Sequence, residues 1–180
     1  GYNKVEPAEK TITIGMGENV INFYYTKRVD LSYTVKYLEK DTNEVLSTEK
    51  VVNNQTFKAV VTEEAIDING YDKVDPKEQS ITIEVSGNEI IFYYTKRVDL
   101  SYTVKYLEQG TNAELSETKT VNNQTYKSTV TEQAIDINGY DKVEPTTSNI
   151  TIEVNGNEIV FYYTKRTDLS YTVKYLEQGT

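Results

Sequence analysis

The chain repeats itself at a fixed interval of 69 residues. Tyr33–Glu39 reads Tyr-Thr-Val-Lys-Tyr-Leu-Glu, and the same seven residues return at Tyr102–Glu108 and at Tyr171–Glu177. Of the 69 positions in 30–98, 50 are identical in 99–167. This period is long for one turn of a solenoid but sufficient for a small domain. The sequence therefore predicts tandem copies of one domain rather than a single 180-residue fold.

The period divides the chain into four segments if a repeat begins near Asp30. Residues 1–29 would be the C-terminal part of a repeat, 30–98 and 99–167 two full repeats, and 168–180 the N-terminal strand of a further one. We therefore expect the chain to be a portion of a longer array. The junction between the two full repeats has neither Gly nor Pro, which restricts rotation and predicts an elongated rod.

Composition excludes many kinds of function. The chain has no Cys and no His, so it lacks thiolate and imidazole metal ligands, Cys nucleophiles and the usual general base near neutral pH. Its net charge of −9 argues against nucleic acid as a partner. No apolar run is long enough to cross a bilayer, so no membrane insertion is expected. We expect no enzyme activity, catalytic residues, metal or cofactor.

The first half of a repeat reads as strands followed by one helix. Tyr102–Glu108 alternates apolar and polar residues, as a half-buried strand does, and a weaker strand is expected around Leu115–Val121. Asn122–Gln124 reads as a polar loop. Thr131 is a candidate N-cap for a short helix that would end at Gly139.

The second half of a repeat reads as a hairpin. Ile150–Val154 alternates cleanly, Asn155-Gly156 favours a tight turn, and Asn157–Thr164 would return beside the first strand. Each repeat is thus expected to be a β-rich α+β domain with four or five strands and one helix.

These features resemble a known family. The opening Tyr-Thr-Val-Lys-Tyr-Leu-Glu strand, the pair Gly139-Tyr140 and the closing aromatic strand Ile159–Lys165 resemble the mucin-binding-protein (MucBP) type repeat of Gram-positive cell-surface adhesins. The resemblance implies tandem ubiquitin-like β-grasp domains on a secreted protein attached to the bacterial cell wall. It also implies adhesion to host mucin or another glycoprotein, with neighbouring repeats of the same protein as further partners.

Because the chain has sixteen tyrosines, stacking of aromatic rings on sugars is the first candidate for a binding site. Tyr102, Tyr106 and Tyr163 are better explained as core residues with their hydroxyls at the rim. Tyr93 and Tyr162 point to the opposite face of their strand. They are therefore the candidate ligand-binding residues, with an inter-domain contact as the alternative.

Two other candidate features have more ordinary explanations. The acidic run around Asp67 could bind calcium, but its spacing does not match an EF-hand, and a turn explains it equally well. Lys36 and Lys105 could form isopeptide bonds with an Asn, although a Lys on the solvated face of a strand is common.

Two functions remain open from the sequence. The favoured one is a structural stalk that projects a distal adhesive domain from the cell surface. The alternative is a binding module in which each repeat holds a host glycan or glycoprotein weakly and the array gains avidity. The partial repeats at the two ends are expected to expose unpaired strand edges that dock on a neighbouring chain.

Overall fold

The computed structural model describes residues 1–179, and it contains only strands as regular elements there. The chain divides into two compact units, Gly1–Thr95 and the part from Lys96 onward. The strands in chain order are β1 Tyr2–Lys4, β2 Tyr25–Lys27, β3 Leu31–Glu39, β4 Lys50–Gln55, β5 Val60–Glu64, β6 Tyr71–Lys73, β7 Glu78–Thr82, β8 Glu89–Lys96, β9 Leu100–Glu108, β10 Glu114–Gln124, β11 Thr129–Gln133, β12 Tyr140–Lys142, β13 Thr147–Thr151 and β14 Glu158–Lys165.

Each full repeat contains one four-stranded and one two-stranded sheet. In the first repeat the order of the larger sheet is β4-β3-β8-β6, and in the second it is β10-β9-β14-β12. The two central strands, the first and last of the repeat, run parallel, and the register of β3 on β8 is reproduced by β9 on β14. The smaller sheets pair β5 with β7 and β11 with β13, both antiparallel. Two repeats that share 50 of their 69 residues thus have the same topology.

Alternation in the central strands builds the core. On β3 the inward residues Leu31, Tyr33, Val35 and Tyr37 are buried, and the residues between them are half-buried or exposed. The inward residues of β8 are equally buried, and they are Ile90, Phe92 and Tyr94. In the second repeat, Tyr102, Tyr106 and Tyr163 are buried in the same way, which confirms the prediction that they are core residues. Burial of these aromatic rings is the main driving force for folding of the unit.

The predicted helix from Thr131 to Gly139 is wrong, and so is the α+β fold class. Thr131 lies in β11, which pairs with β13 along its whole length, and the corresponding residues of the first repeat form β5. β-branched residues occupy Thr129-Val130-Thr131 and favour a pleated strand. Residues 1–179 therefore form all-β tandem domains, without the helix that a ubiquitin-like β-grasp fold requires.

Two further expectations need correction. Asn122–Gln124 is the end of strand β10, not a loop; Asn123 has a positive φ of 58° and the register shifts there, as in a β-bulge. The chain does turn at Asn155-Gly156, but the flanking strands do not form a hairpin. Strand β13 pairs with β11, and β14 pairs with β9 and β12.

The turn is closed by a side chain instead of a strand ladder. The Asn157 amide oxygen accepts the Glu153 N–H at 2.8 Å, and its amide nitrogen donates to the carbonyl oxygens of Glu153 at 2.7 Å and Ser101 at 3.0 Å. Asn88 makes the same three bonds in the first repeat. This asparagine therefore connects the turn to the first strand of its own repeat, which is why β14 can leave β13 and enter the larger sheet.

Candidate functional site

The linker before each full repeat is fixed by its arginine. The Arg28 N–H donates to the Gly1 carbonyl at 3.0 Å, and the Arg28 carbonyl accepts the Phe57 N–H at 2.9 Å. The arginine backbone is therefore held on one side by the preceding partial repeat and on the other by the repeat that follows. Equivalent bonds occur further along the chain. The Arg97 carbonyl accepts the Tyr126 N–H, and the Arg166 N–H donates to the Gly139 carbonyl.

The arginine side chain braces the same linker. Arg28 donates two hydrogen bonds to the carboxylate of Asp30, at 2.9 and 2.7 Å, and the pairs Arg97–Asp99 and Arg166–Asp168 repeat this fork. These hydrogen bonds lower the pKa of each aspartate from its ordinary value. A bidentate pair has more defined geometry than a single contact, so it restricts the residue between Arg and Asp. The sequence signal for this linker is the Arg-x-Asp motif, which recurs at the 69-residue interval.

An aromatic contact completes the first linker. The Tyr2 ring stands edge-on to the Phe57 ring, with centroids 5.3 Å apart and planes at 77°. A Cβ atom at Gly1 would lie 2.3 Å from the nearest ring carbon of Phe57, so any larger residue would require the ring to move. The surface that joins residues 1–29 to the first full repeat is thus apolar at its centre and hydrogen-bonded at Arg28. It is a junction between repeat copies rather than a pocket for a small molecule.

A second repeated cluster connects the two sheets of each domain. Glu132 on β11 accepts hydrogen bonds from the Tyr102 hydroxyl on β9 and from Lys119 on β10, both at 2.6 Å. Glu63 makes the same contacts with Tyr33 and Lys50. Only 13% of the Glu132 side chain is exposed, so its charge needs these donors. The cluster therefore stabilises the fold. The sequence does not predict it, because Glu132 lies in the segment that was expected to be a helix and is strand β11.

The donors decide the charge state of this carboxylate. Hydrogen bonds from Lys119 and Tyr102 lower the pKa of Glu132. At Glu63, desolvation raises the pKa, but hydrogen bonds from Lys50 and Tyr33 outweigh it and the pKa is lowered as well. Both carboxylates are therefore ionised and paired at neutral pH, and they have no proton to exchange there.

Tyrosine ionisation reports on this cluster. Burial, together with the hydrogen bond to Glu132, raises the pKa of Tyr102 to about 12. Because this folded-state pKa lies above the unfolded value near 10, the stabilisation is complete below about pH 10 and is lost as the pH rises towards 12. We expect replacement of Tyr102 by Phe to remove one late step from the tyrosinate absorbance titration. An unchanged titration between pH 11 and about 12 would contradict this assignment.

A polar groove occurs at the start of each repeat. In the first repeat it has a volume of about 540 Å³, and in the second about 420 Å³. Four of its charged residues are paired, Arg28 with Asp30 and Lys36 with Glu89, and Glu49 lines it as well. The Asn88 side chain, which also lines it, is used in closing the turn. The groove is therefore a polar surface whose main hydrogen-bonding groups are engaged within the repeat.

The candidate ligand-binding tyrosines lie on the outer face of the sheet. Tyr93 is half-buried beside Leu38 of the parallel strand, and Tyr162 is 38% exposed beside Leu107. Tyr93 belongs to the first full repeat and Tyr162 occupies the same position, 69 residues later, in the second. A role for either in binding stays a prediction.

The other candidate residues have close partners of ordinary kinds. Asp67 is paired with Lys73 at 2.8 Å, and Lys36 and Lys105 are paired with Glu89 and Glu158 rather than with an asparagine. Within residues 1–179, no three His, Cys, Asp or Glu side chains are grouped so that they could hold a metal ion. The same part of the chain has no helix long and apolar enough to cross a membrane.

No family model and no curated protein matches this chain. Solved structures that resemble it include one described as Mub-RV, with 14% identity and a TM-score of 0.29 over 75% of this chain and 98% of that one. A streptococcal ancillary pilin has 11% identity and a TM-score of 0.34, covering 92% and 75% of the two chains. Domains 3–4 of streptococcal high identity repeats in tandem, from a cell surface protein, have 11% identity and a TM-score of 0.28, covering 74% and 95%. Similarities this distant assign neither a family nor a function.

Proposed function

We propose that these domains are spacer repeats of the MucBP type, in a Gram-positive surface protein attached to the cell wall, and that they project a distal adhesive domain. The observation that carries the proposal is the linker, because Arg28 is bonded through its backbone to both flanking copies and braced by its fork to Asp30. A chain that only needed to connect independent binding domains would gain nothing from such a linker. The proposed role is structural and not enzymatic.

Nearly identical copies suit this role. The 19 differences between residues 30–98 and 99–167 leave the buried framework almost unchanged, with Phe57 to Tyr126 as the main aromatic exchange. A spacer needs a repeated junction and a stable core in each unit, and it needs no unique site. Net charge of −9 adds mutual repulsion between units, which favours extension.

Small-angle scattering on this chain, and on versions lengthened by whole 69-residue repeats, tests the spacer role. We expect the maximum dimension to rise by a constant increment with each added repeat. Replacing Arg97 by Gly should shorten the mean dimension and broaden its distribution, because the fork to Asp99 is lost and the backbone gains freedom. Asp41→Gly is the matched control, since Gly110 occupies that position in the other repeat. Dimensions that do not scale with repeat number would refute the proposal.

A weak multivalent binding module is the second candidate function, with host mucin or another glycoprotein as the proposed ligand. It is favoured by the ring of Tyr162, which is 38% exposed on the outer face of the sheet. A glycan array probed with the chain in multivalent form should give signals that fall when Tyr93 and Tyr162 are both changed to Ala. No signal above background at high valency would reject this function.

A further inference from the structure

The first and last strands of each full repeat are direct neighbours. In the second repeat these are β9 and β14, which run parallel over six register pairs that start with Thr103 and Glu158. Strands β3 and β8 have the same parallel pairing in the first repeat. All other strands of a repeat lie between these two in the sequence. Tension along the backbone therefore enters the repeat through one strand of this pair and leaves through the other.

Parallel strands at the two ends of a repeat are loaded in shear. Tension pulls β9 at Leu100, its N-terminal end, and pulls β14 at Lys165, its C-terminal end. Because the strands are parallel, these two residues lie at opposite ends of the ladder, and the strands are pulled past each other along their length. The evenly spaced bonds of a parallel ladder then carry the load together. With antiparallel end strands, the same tension would open the ladder one bond at a time.

Backbone bonds at both ends lengthen this ladder. At its start the Thr103 N–H donates to the Asn157 carbonyl at 2.9 Å, and at its end the Gln109 N–H donates to the Tyr163 carbonyl at 2.8 Å. The first repeat has the equivalent bonds, at 3.0 and 2.9 Å. The row of hydrogen bonds between the two loaded strands is thus longer than the six register pairs alone.

Side chains hold the same two strands together on both faces of the sheet. On the inner face, Tyr106 stacks on Phe161 with ring centroids 6.3 Å apart. On the outer face, Lys105 pairs with Glu158 at 2.6 Å. The amide nitrogen of Asn157 donates to the carbonyl of the second residue of β9 at 3.0 Å. Sliding of β14 along β9 would have to break all of these contacts, so they add to the resistance of the backbone ladder.

We propose that these parallel pairs, β3 with β8 and β9 with β14, are mechanical clamps, so that each repeat bears tension applied along the chain and resists unfolding under it. Load bearing goes beyond the spacer role, because a spacer sets a distance whether or not it is pulled. Between β8 and β9 lie three residues, Arg97 to Asp99, so tension passes from one clamp to the next without a long compliant loop. Failure of one clamp would release the 69 residues of its repeat, a contour length of about 230–250 Å.

Single-molecule force spectroscopy on the full chain tests the second clamp, and the absence of native Cys makes attachment of the handles specific. In the shear variant, Ser101→Cys and Lys165→Cys place the handles at opposite ends of the β9–β14 ladder. In the peel variant, Ser101→Cys and Asn155→Cys place both handles at its start, because Asn155 lies in the turn before β14. All three positions are exposed. At one loading rate, we expect a rupture force roughly threefold higher in shear than in peeling, because many bonds must break together.

A change outside the load path separates mechanical resistance from stability. Val130 lies on β11 in the smaller sheet, half-buried and paired with Ile150. Val130→Ala in the shear variant should lower the urea midpoint and leave the shear rupture force unchanged, since forced unfolding is governed by the unfolding rate rather than by the free energy of unfolding. Equal rupture forces in the two pulling geometries would overturn the clamp, and so would a shear force that falls in step with the urea midpoint. Scattering dimensions that fail to scale with repeat number would refute the spacer role and leave this result unaffected.

Discussion

A chain with Phe161 changed to Ala is expected to lose most of the stability of its second repeat. Phe161 is 1% exposed on strand β14 and stacks on Tyr106 with ring centroids 6.3 Å apart. Truncating a buried Phe to Ala costs about 3–5 kcal/mol through lost burial and the cavity left behind. A domain of this size has a total stability of about 3–10 kcal/mol, so the loss approaches the whole.

Amide hydrogen exchange measures this loss of stability in each repeat separately. In the Phe161→Ala chain, the amides of β9 should exchange much faster, while those of β3 in the first repeat keep their protection. Tyr162→Ala is the matched control, because this neighbour lies on the outer face and should change protection by less than about 1 kcal/mol. Unchanged exchange in β9 of the Phe161→Ala chain would mean that the aromatic stack is not the centre of the core.

Replacing Glu132 by Ala is expected to cost the second repeat about 1–3 kcal/mol, because the buried end of Tyr102 loses its acceptor. The effect should depend on pH. The folded-state pKa of Glu132 lies below its ordinary value, so its stabilisation is present above the unfolded pKa near 4.3 and is lost as the pH falls through the folded value. Urea denaturation from pH 7 down to pH 3 should therefore show the gap between wild type and variant closing.

A double-mutant cycle separates the Tyr102–Glu132 bond from general disruption. Tyr102→Phe keeps the ring and removes only the donor, so Tyr102→Phe with Glu132→Ala should cost less than the sum of the two single changes. Glu153→Ala serves as the control, since Glu153 is half exposed and contacts Lys127 at the surface. Strict additivity of Tyr102→Phe and Glu132→Ala would contradict a direct contribution of the bond.

The helix prediction failed because the decisive interactions lie far apart in the sequence. Thr131-Glu132 is a reasonable start for a helix when only its neighbours are considered. In the folded repeat, Val130 pairs with Ile150, and Glu132 is held by Tyr102 and Lys119. These contacts span 13 to 30 residues and override the local preference.

The hairpin prediction failed for a related reason. Asn155-Gly156 specifies that the chain turns, and Gly156 does have a positive φ of 76°. It does not specify which strands pair after the turn. Asn157 reaches the Ser101 carbonyl, and β14 enters the larger sheet beside β9 rather than beside β13. Neighbouring strands in sequence were assumed to be neighbours in space, and here they are not.

The 69-residue period, the strand Tyr102–Glu108 and the burial of Tyr102, Tyr106 and Tyr163 followed from the sequence alone. Repetition and strict alternation are local properties that can be read along the chain. The parallel pairing of first and last strands, the all-β fold and the bonds of the linker arginines required the tertiary structure. The strand pairings and the backbone bonds of the arginines depend on groups that meet only after the chain has folded.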